Sequence, residues 1–130
     1  MAIGQKWTDV GQGFAIDQLD DNTASATPTY WGAWGAGSNT PAVGDTALQT
    51  ENAEARTQIL AAAQTQPATD TIRWVYAIVA TGTRTVQETG IFRLSSGGDM
   101  YVRIVHGSLS LESGDQVTYT VSLQLKDVSE

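Results

Sequence analysis

Residues 117–125, VTYTVSLQL, decide the fold. Val117, Tyr119, Val121, Leu123 and Leu125 are apolar, and Thr118, Thr120, Ser122 and Gln124 between them are polar, as are the flanking Gln116 and Lys126. Successive side chains on a strand point to opposite faces, so this spacing gives one dry face and one wet face. On a helix the same apolar residues would be smeared around the whole circumference. β-branched and aromatic residues dominate, which suits a pleated surface. A strand wet on one face belongs to an antiparallel sheet more readily than to a parallel one. The expected fold is therefore mainly β: an antiparallel β-sandwich or barrel with one short helix and an extended N-terminal segment.

The chain before this strand reads as more of the same. Residues 112–115 make a turn, and residues 109–111 and 100–106 read as strands. Residues 95–99, SSGGD, form a hairpin loop, because consecutive glycines supply positive φ. Residues 85–94 make a strand around Ile91 and Phe92, and Thr81-Gly82-Thr83 turns the chain. Residues 71–80, TIRWVYAIVA, read as a strand buried on both faces, with Ile72, Trp74, Tyr76 and Ile78 on one side and Val75, Ala77 and Val79 on the other. Short strands divided by frequent turn signals indicate a sandwich or barrel. Residues 55–66, ARTQILAAAQTQ, carry two signals. Their alanines favour helix, whereas Pro67 and Asp70 mark a turn that would pair residues 57–66 with 71–80. One helix from Leu48 through Ala63 answers the first signal; a short helix that ends before this stretch, then a strand, is preferred. Asp45 and Thr46 are placed to cap that short helix over residues 47–54. Residues 38–44, SNTPAVG, are a loop, and residues 30–37, YWGAWGAG, an aromatic strand with a glycine-marked bulge or close approach.

Residues 1–28 differ in composition. Their apolar residues are sparse and aperiodic, and glycines and acids punctuate them. Such a segment buries too little to fold alone. It reads as an N-terminal arm or as a first strand plus loop, pinned to a neighbour through Trp7 and Phe14. Residues 29–130 form one antiparallel β domain. A chain of 130 residues can bury a core without staples, and it has no Cys to form a disulfide or bind a metal. Its net charge of -7 opposes binding to nucleic acid or anionic membrane. No apolar run reaches the roughly 18 residues of a membrane span. The N-terminus has no basic region leading into an apolar stretch, so synthesis and use without Sec export is expected.

Candidate chemistry is thin. His106 is the single histidine, so a triad or a zinc site would have to be built around it alone. It reads instead as a polar residue at a strand end. Glu88 and Asp99 would converge only if their strands pair in a particular register, and a glycosidase needs two facing carboxylates. Asp17, Asp20, Asp21 and Asn22 lack the spacing of a calcium loop and read as a solvated turn. Tyr30, Trp31 and Trp34 suit either core packing or contact with a sugar or a protein. No catalytic constellation, metal site or cofactor motif emerges. The profile is that of a building block, not an enzyme.

Several motifs in order resemble those of small structural proteins of tailed bacteriophages. Residues 31–48, WGAWGAGSNTPAVGDTAL, are similar to the family's glycine-rich segment ending in DTAL, and Glu51 or Glu54 with Arg56 to its E…R continuation. ETGIF at 88–92, SGGDMYVR at 96–103 and the strand from Gly114 to Leu125 resemble the following motifs. The resemblance spans roughly residues 30–126. It implies a virion component. Relatives include tail-fibre and head-decoration proteins, and a chain with one β domain and a short arm looks like the latter. That implies a capsid decoration, or cement, protein on the outer surface of the head, made in the host cytoplasm. Its implied partners are the major capsid protein and copies of itself, as a homotrimer. Trp7, Phe14, Tyr30, Trp31 and Trp34 are the expected partner contacts, although the family's pattern lacks Trp31. The alternative expectation is a tail-tip or fibre module that binds a host glycan through Tyr30, Trp31 and Trp34.

Overall fold

The computed structural model describes residues 5–7, 29–68 and 70–124. Eight strands are present among them: β1 (Gln5–Trp7), β2 (Trp31–Gly35), β3 (Thr57–Gln58), β4 (Gln64–Ala68), β5 (Thr71–Val79), β6 (Arg84–Phe92), β7 (Met100–Leu111) and β8 (Gln116–Gln124). All pairings are antiparallel. One sheet, sheet A, has the order β1-β7-β6-β2-β3, and the other, sheet B, the order β4-β5-β8. Trp74, Tyr76, Ile78, Val121 and Leu123 of sheet B pack against Trp34, Val86, Ile91 and Val102 of sheet A in a single core. This is the expected mainly-β, sandwich-like fold.

The deciding strand behaves as its alternation requires. Tyr119 and Val117 are half-buried, Val121 and Leu123 buried, and the polar residues between them exposed. Leu125 lies outside the described residues. β8 pairs with β5 over nine consecutive positions, from Thr71↔Gln124 to Val79↔Gln116. The loops at residues 95–99 and 112–115 also form, with Gly97, Gly98 and Gly114 at positive φ (57°, 70° and 93°).

Three expectations are corrected, and one preferred reading is kept. The doubly buried strand is β6 rather than β5: residues 88–92 are all buried, whereas the outer face of β5 runs to Val79 at 47 % exposure. β6 is the middle strand of sheet A and has a layer on each side. Residues 100–111 form one strand rather than two, with a register shift between Val86 and Glu88 that leaves extra residues near Gly107 on β7. The Ala-rich stretch takes the preferred strand reading, not a helix running on to Ala63. It gives β3, one 3-10 turn at Ala61–Ala63, and β4, which joins β5 in the hairpin that Pro67 and Asp70 signal. Residues 47–54 are not helical either. The N–H groups of Gln49 and Thr50 go to the Glu88 carboxylate at 3.0 and 2.8 Å, and the Thr50 carbonyl accepts from Ala36 at 2.9 Å. Backbone groups that would close helical turns are used to hold the segment on sheet A.

Two positions fix the spacing between the sheets. Tyr76 reaches across the core to Thr89, 2.7 Å from hydroxyl to hydroxyl, and Thr89 donates on to the Ala33 carbonyl at 2.6 Å. Gly32 lies against the Tyr76 ring, where a Cβ would overlap the ring carbons. Gly32→Ala is therefore expected to destabilise the fold by about 2–3 kcal/mol through overpacking, read as a lower urea midpoint with an unchanged m-value.

Candidate functional site

The outer face of sheet A is covered by the connection between β2 and β3, residues 36–56. A connection this long without regular structure is uncommon in a compact domain. It is held from beneath by charge. Glu88 on β6 and Arg103 on β7 are both fully buried, at 0 % and 1 % exposure. Glu88 accepts from the N–H groups of Gly37 (2.8 Å), Gln49 (3.0 Å) and Thr50 (2.8 Å) and from Arg103 Nε (2.9 Å). Arg103 reaches onward to Asp45 Oδ2 at 3.1 Å and Asn39 Oδ1 at 2.6 Å. Gly37 has to be glycine, because a Cβ there would lie 2.5 Å from the Glu88 carboxylate.

Beside this clamp sits a small apolar layer. Leu48 descends from the loop onto Ala33, Phe92 and Met100, with Trp31 packed at its margin. The loop ends at Arg56, whose guanidinium lies 3.6 Å above the centre of the Phe92 ring. Arg56 grips Glu51 through two bonds of 2.9 and 3.0 Å and donates to the carbonyls of Leu94 and Gly97 in the β6–β7 turn. Carboxylate forks of this kind are the stronger ion pairs, and stacking on an aromatic face adds to them.

Glu54 closes the loop at the opposite edge. It accepts from the Trp34 indole (3.0 Å), from the Thr81 N–H and hydroxyl (2.9 Å each) and from Arg84 (2.8 Å). Burial alone would raise its pKa. The donors from Thr81, Trp34 and Arg84 outweigh burial and hold the carboxyl at about 2, against an ordinary 4.5.

The aromatic residues expected at a partner surface do not form one exposed cluster. Tyr30 and Trp34 are 7 % and 1 % exposed and belong to the core between the sheets. Tyr30 packs 5.4 Å from both Trp74 and Tyr101, centre to centre. Trp31 is half-buried on the opposite face of β2. Trp7 ends β1, opposite Val102, and Phe14 lies outside the described residues, as do Asp17, Asp20, Asp21 and Asn22. Glu88 and Asp99 do not meet. Asp99 sits in the β6–β7 turn opposite Arg93, about 17 Å along the strands from Glu88. His106 Nδ1 lies 2.7 Å from the Gly107 carbonyl, so that nitrogen carries the proton, and Nε2 accepts from the Tyr119 hydroxyl at 3.0 Å. The pair ties β7 to β8. Among the described residues no group of three or more His, Asp or Glu is placed to hold a metal ion.

What the sequence leaves unconnected is that Asp45, Glu88 and Arg103 belong together, as do Glu51 and Arg56. The signal is present in MYVRIV, where a charge stands inside an apolar strand. Charges are almost never fully buried unless paired. The sequence matches no protein-family model, and comparison with curated proteins returns no match.

The clamp gives two expectations. Glu88→Ala leaves Arg103 buried without its carboxylate and orphans three loop N–H groups, so a loss of about 3–5 kcal/mol is expected, with new proteolytic cleavage within residues 38–50. Glu54 titrates lower in the folded chain than in the unfolded one. Its stabilisation is complete above about pH 4.5 and is lost as pH falls toward 2, by on the order of 3 kcal/mol. Thermal melts across that window should show the decline, and Glu54→Gln should flatten it.

Proposed function

We propose that this chain is a bacteriophage capsid decoration protein that stabilises the head by binding the major capsid protein lattice. The observation that supports the reading most is the convergence of the motif residues. Asp45, Glu88 and Arg103 come from three separate motifs of the phage-protein resemblance and meet in one clamp, and Glu51 and Arg56 of a fourth pair beside it, so that both fasten residues 36–56 to sheet A. The motif set thus corresponds to one structural device.

The device is suited to cementing. Its charges are satisfied internally, and what faces outward is a stiff scaffold of fixed shape. Decoration works by burying a modest interface, of about 1,600 Å², at each of many equivalent sites. Trimers that engage several capsid subunits at once turn weak contacts into durable ones. The protein sits on the outside of the head and braces neighbouring subunits against internal pressure. The rival glycan-binding reading depends on Tyr30, Trp31 and Trp34 as an exposed platform, and burial of Tyr30 and Trp34 removes most of that platform.

Quantitative mass spectrometry of purified virions tests the proposal. Hundreds of copies per particle are expected on a lattice. A dozen copies or fewer would assign the chain to an appendage and overturn it.

A further inference from the structure

We propose that two copies of this chain pair through the outer edge of β8, antiparallel about a two-fold axis at Thr120, so that sheet B runs on from one copy into the other. The inference goes beyond the decoration reading and holds whether or not the chain coats a head.

Among the described residues four strands end the two sheets: β1 and β3 in sheet A, β4 and β8 in sheet B. An end strand offers a row of backbone donors and acceptors to another chain, and folds blunt such rows with short strands, Lys, Pro or a bulge. Three of the four are blunted in this way. β1 has three residues with Lys6 in the middle, and β3 has two residues. β4 contains Pro67, which has no N–H, beside a register break between Thr65 and Ala68. β8 has none of these devices. It runs for nine residues, Gln116–Gln124, in unbroken register with β5, and contains no Gly, Pro or charged side chain. Among the described residues no strand lies on its other side.

The sequence of β8 selects a second β8 as the occupant. With Thr120 opposite its own copy, all nine residues pair and each face meets its like. On the inner face Tyr119 stands opposite Val121 and Val117 opposite Leu123; on the outer face Thr118 stands opposite Ser122 and Gln116 opposite Gln124. Aromatic with β-branched and Thr with Thr or Ser are favourable cross-strand pairs. Val117 and Tyr119 are half-buried in one chain, and the pairing gives them further cover.

Charge favours the same arrangement. A net -7 sets two copies against each other, but β8 brings no charge to the seam. The antiparallel order also holds the acidic turns at residues 112–115 apart. Asp115 of one copy lies about 34 Å along the strands from Asp115 of the other, several screening lengths in physiological salt. Nine paired residues make a small contact, below the roughly 1,200 Å² of a standard interface, so association is weak and needs high concentration. Each contact takes two copies and no more, and it links one trimer to the next where the chains are trimeric.

Sedimentation equilibrium of the purified chain, up to about 1 mM, tests the contact. Wild type is expected to associate. Thr120→Lys and Thr120→Glu each set like charges face to face and are expected to weaken association by about tenfold or more, and an equimolar mixture of the two to recover it. Unchanged urea midpoints show that both variants fold. The chain has no cysteine, so Thr120→Cys gives an independent reading. Its disulfide-linked dimer is expected to form at least about tenfold faster than that of Thr65→Cys, an exposed position on the blunted β4 edge. A wild type that does not associate, association that the charged variants leave intact, a mixture that stays dissociated, or cross-linking of Thr120→Cys no faster than of Thr65→Cys would each overturn the inference. None of these outcomes bears on the copy number in virions, which decides the decoration reading.

Discussion

The buried Glu88 carboxylate is the group on which the outer half of the structure depends. It receives three loop N–H groups and one guanidinium and has no access to water. A charge in that position is tolerable only when its lone pairs are filled, and filling them requires residues 37, 49 and 50 to arrive from a loop more than a dozen residues long. The carboxylate and the loop therefore need one another. Without the loop Glu88 would be an uncompensated charge, and without Glu88 the loop would have few reasons to hold one shape.

Sheet A acquires its second cover through this dependence. Sheets usually hide a face against another sheet or a helix. Here the inner face of sheet A meets sheet B, and the outer face meets a segment with no regular structure. The apolar part of that cover is small, chiefly Leu48 on Ala33, Phe92 and Met100. Ion pairs carry much of the remaining attachment: Arg103 with Glu88 and Asp45, Arg56 with Glu51, Arg84 with Glu54. Exposed pairs of this kind contribute little, but the buried members are strongly destabilising to break. Arg56 and Arg103 are thereby withdrawn from the surface.

The aromatic residues illustrate how packing overrides composition. A Tyr-Trp-Gly-Ala-Trp run looks like an interaction platform. In the fold the strand alternation divides it, sending Trp34 inward and Trp31 outward, and Tyr30 joins Trp74 and Tyr101 in the core. The indole N–H of Trp34 is satisfied by Glu54, so the ring has a fixed place and a fixed orientation.

The sequence by itself determined the strands and their sides. Alternation at residues 117–124, the glycine pair at 97–98 and the turn at 112–115 are local signals, carried by side-chain period and backbone freedom, and they survive folding unchanged. A helix over residues 47–54 was favoured by an equally local signal, and it failed because its backbone groups found a better partner far away in sequence, Glu88; the helical tendency of the alanines in 55–66 lost in the same way to the β5 edge. Tertiary structure alone decided that β6 and not β5 is covered on both faces, and that Asp45, Glu88 and Arg103 meet. Both facts depend on which face of which strand a remote loop crosses. Residue spacing does not encode that crossing, since it is set by where a buried charge can be satisfied.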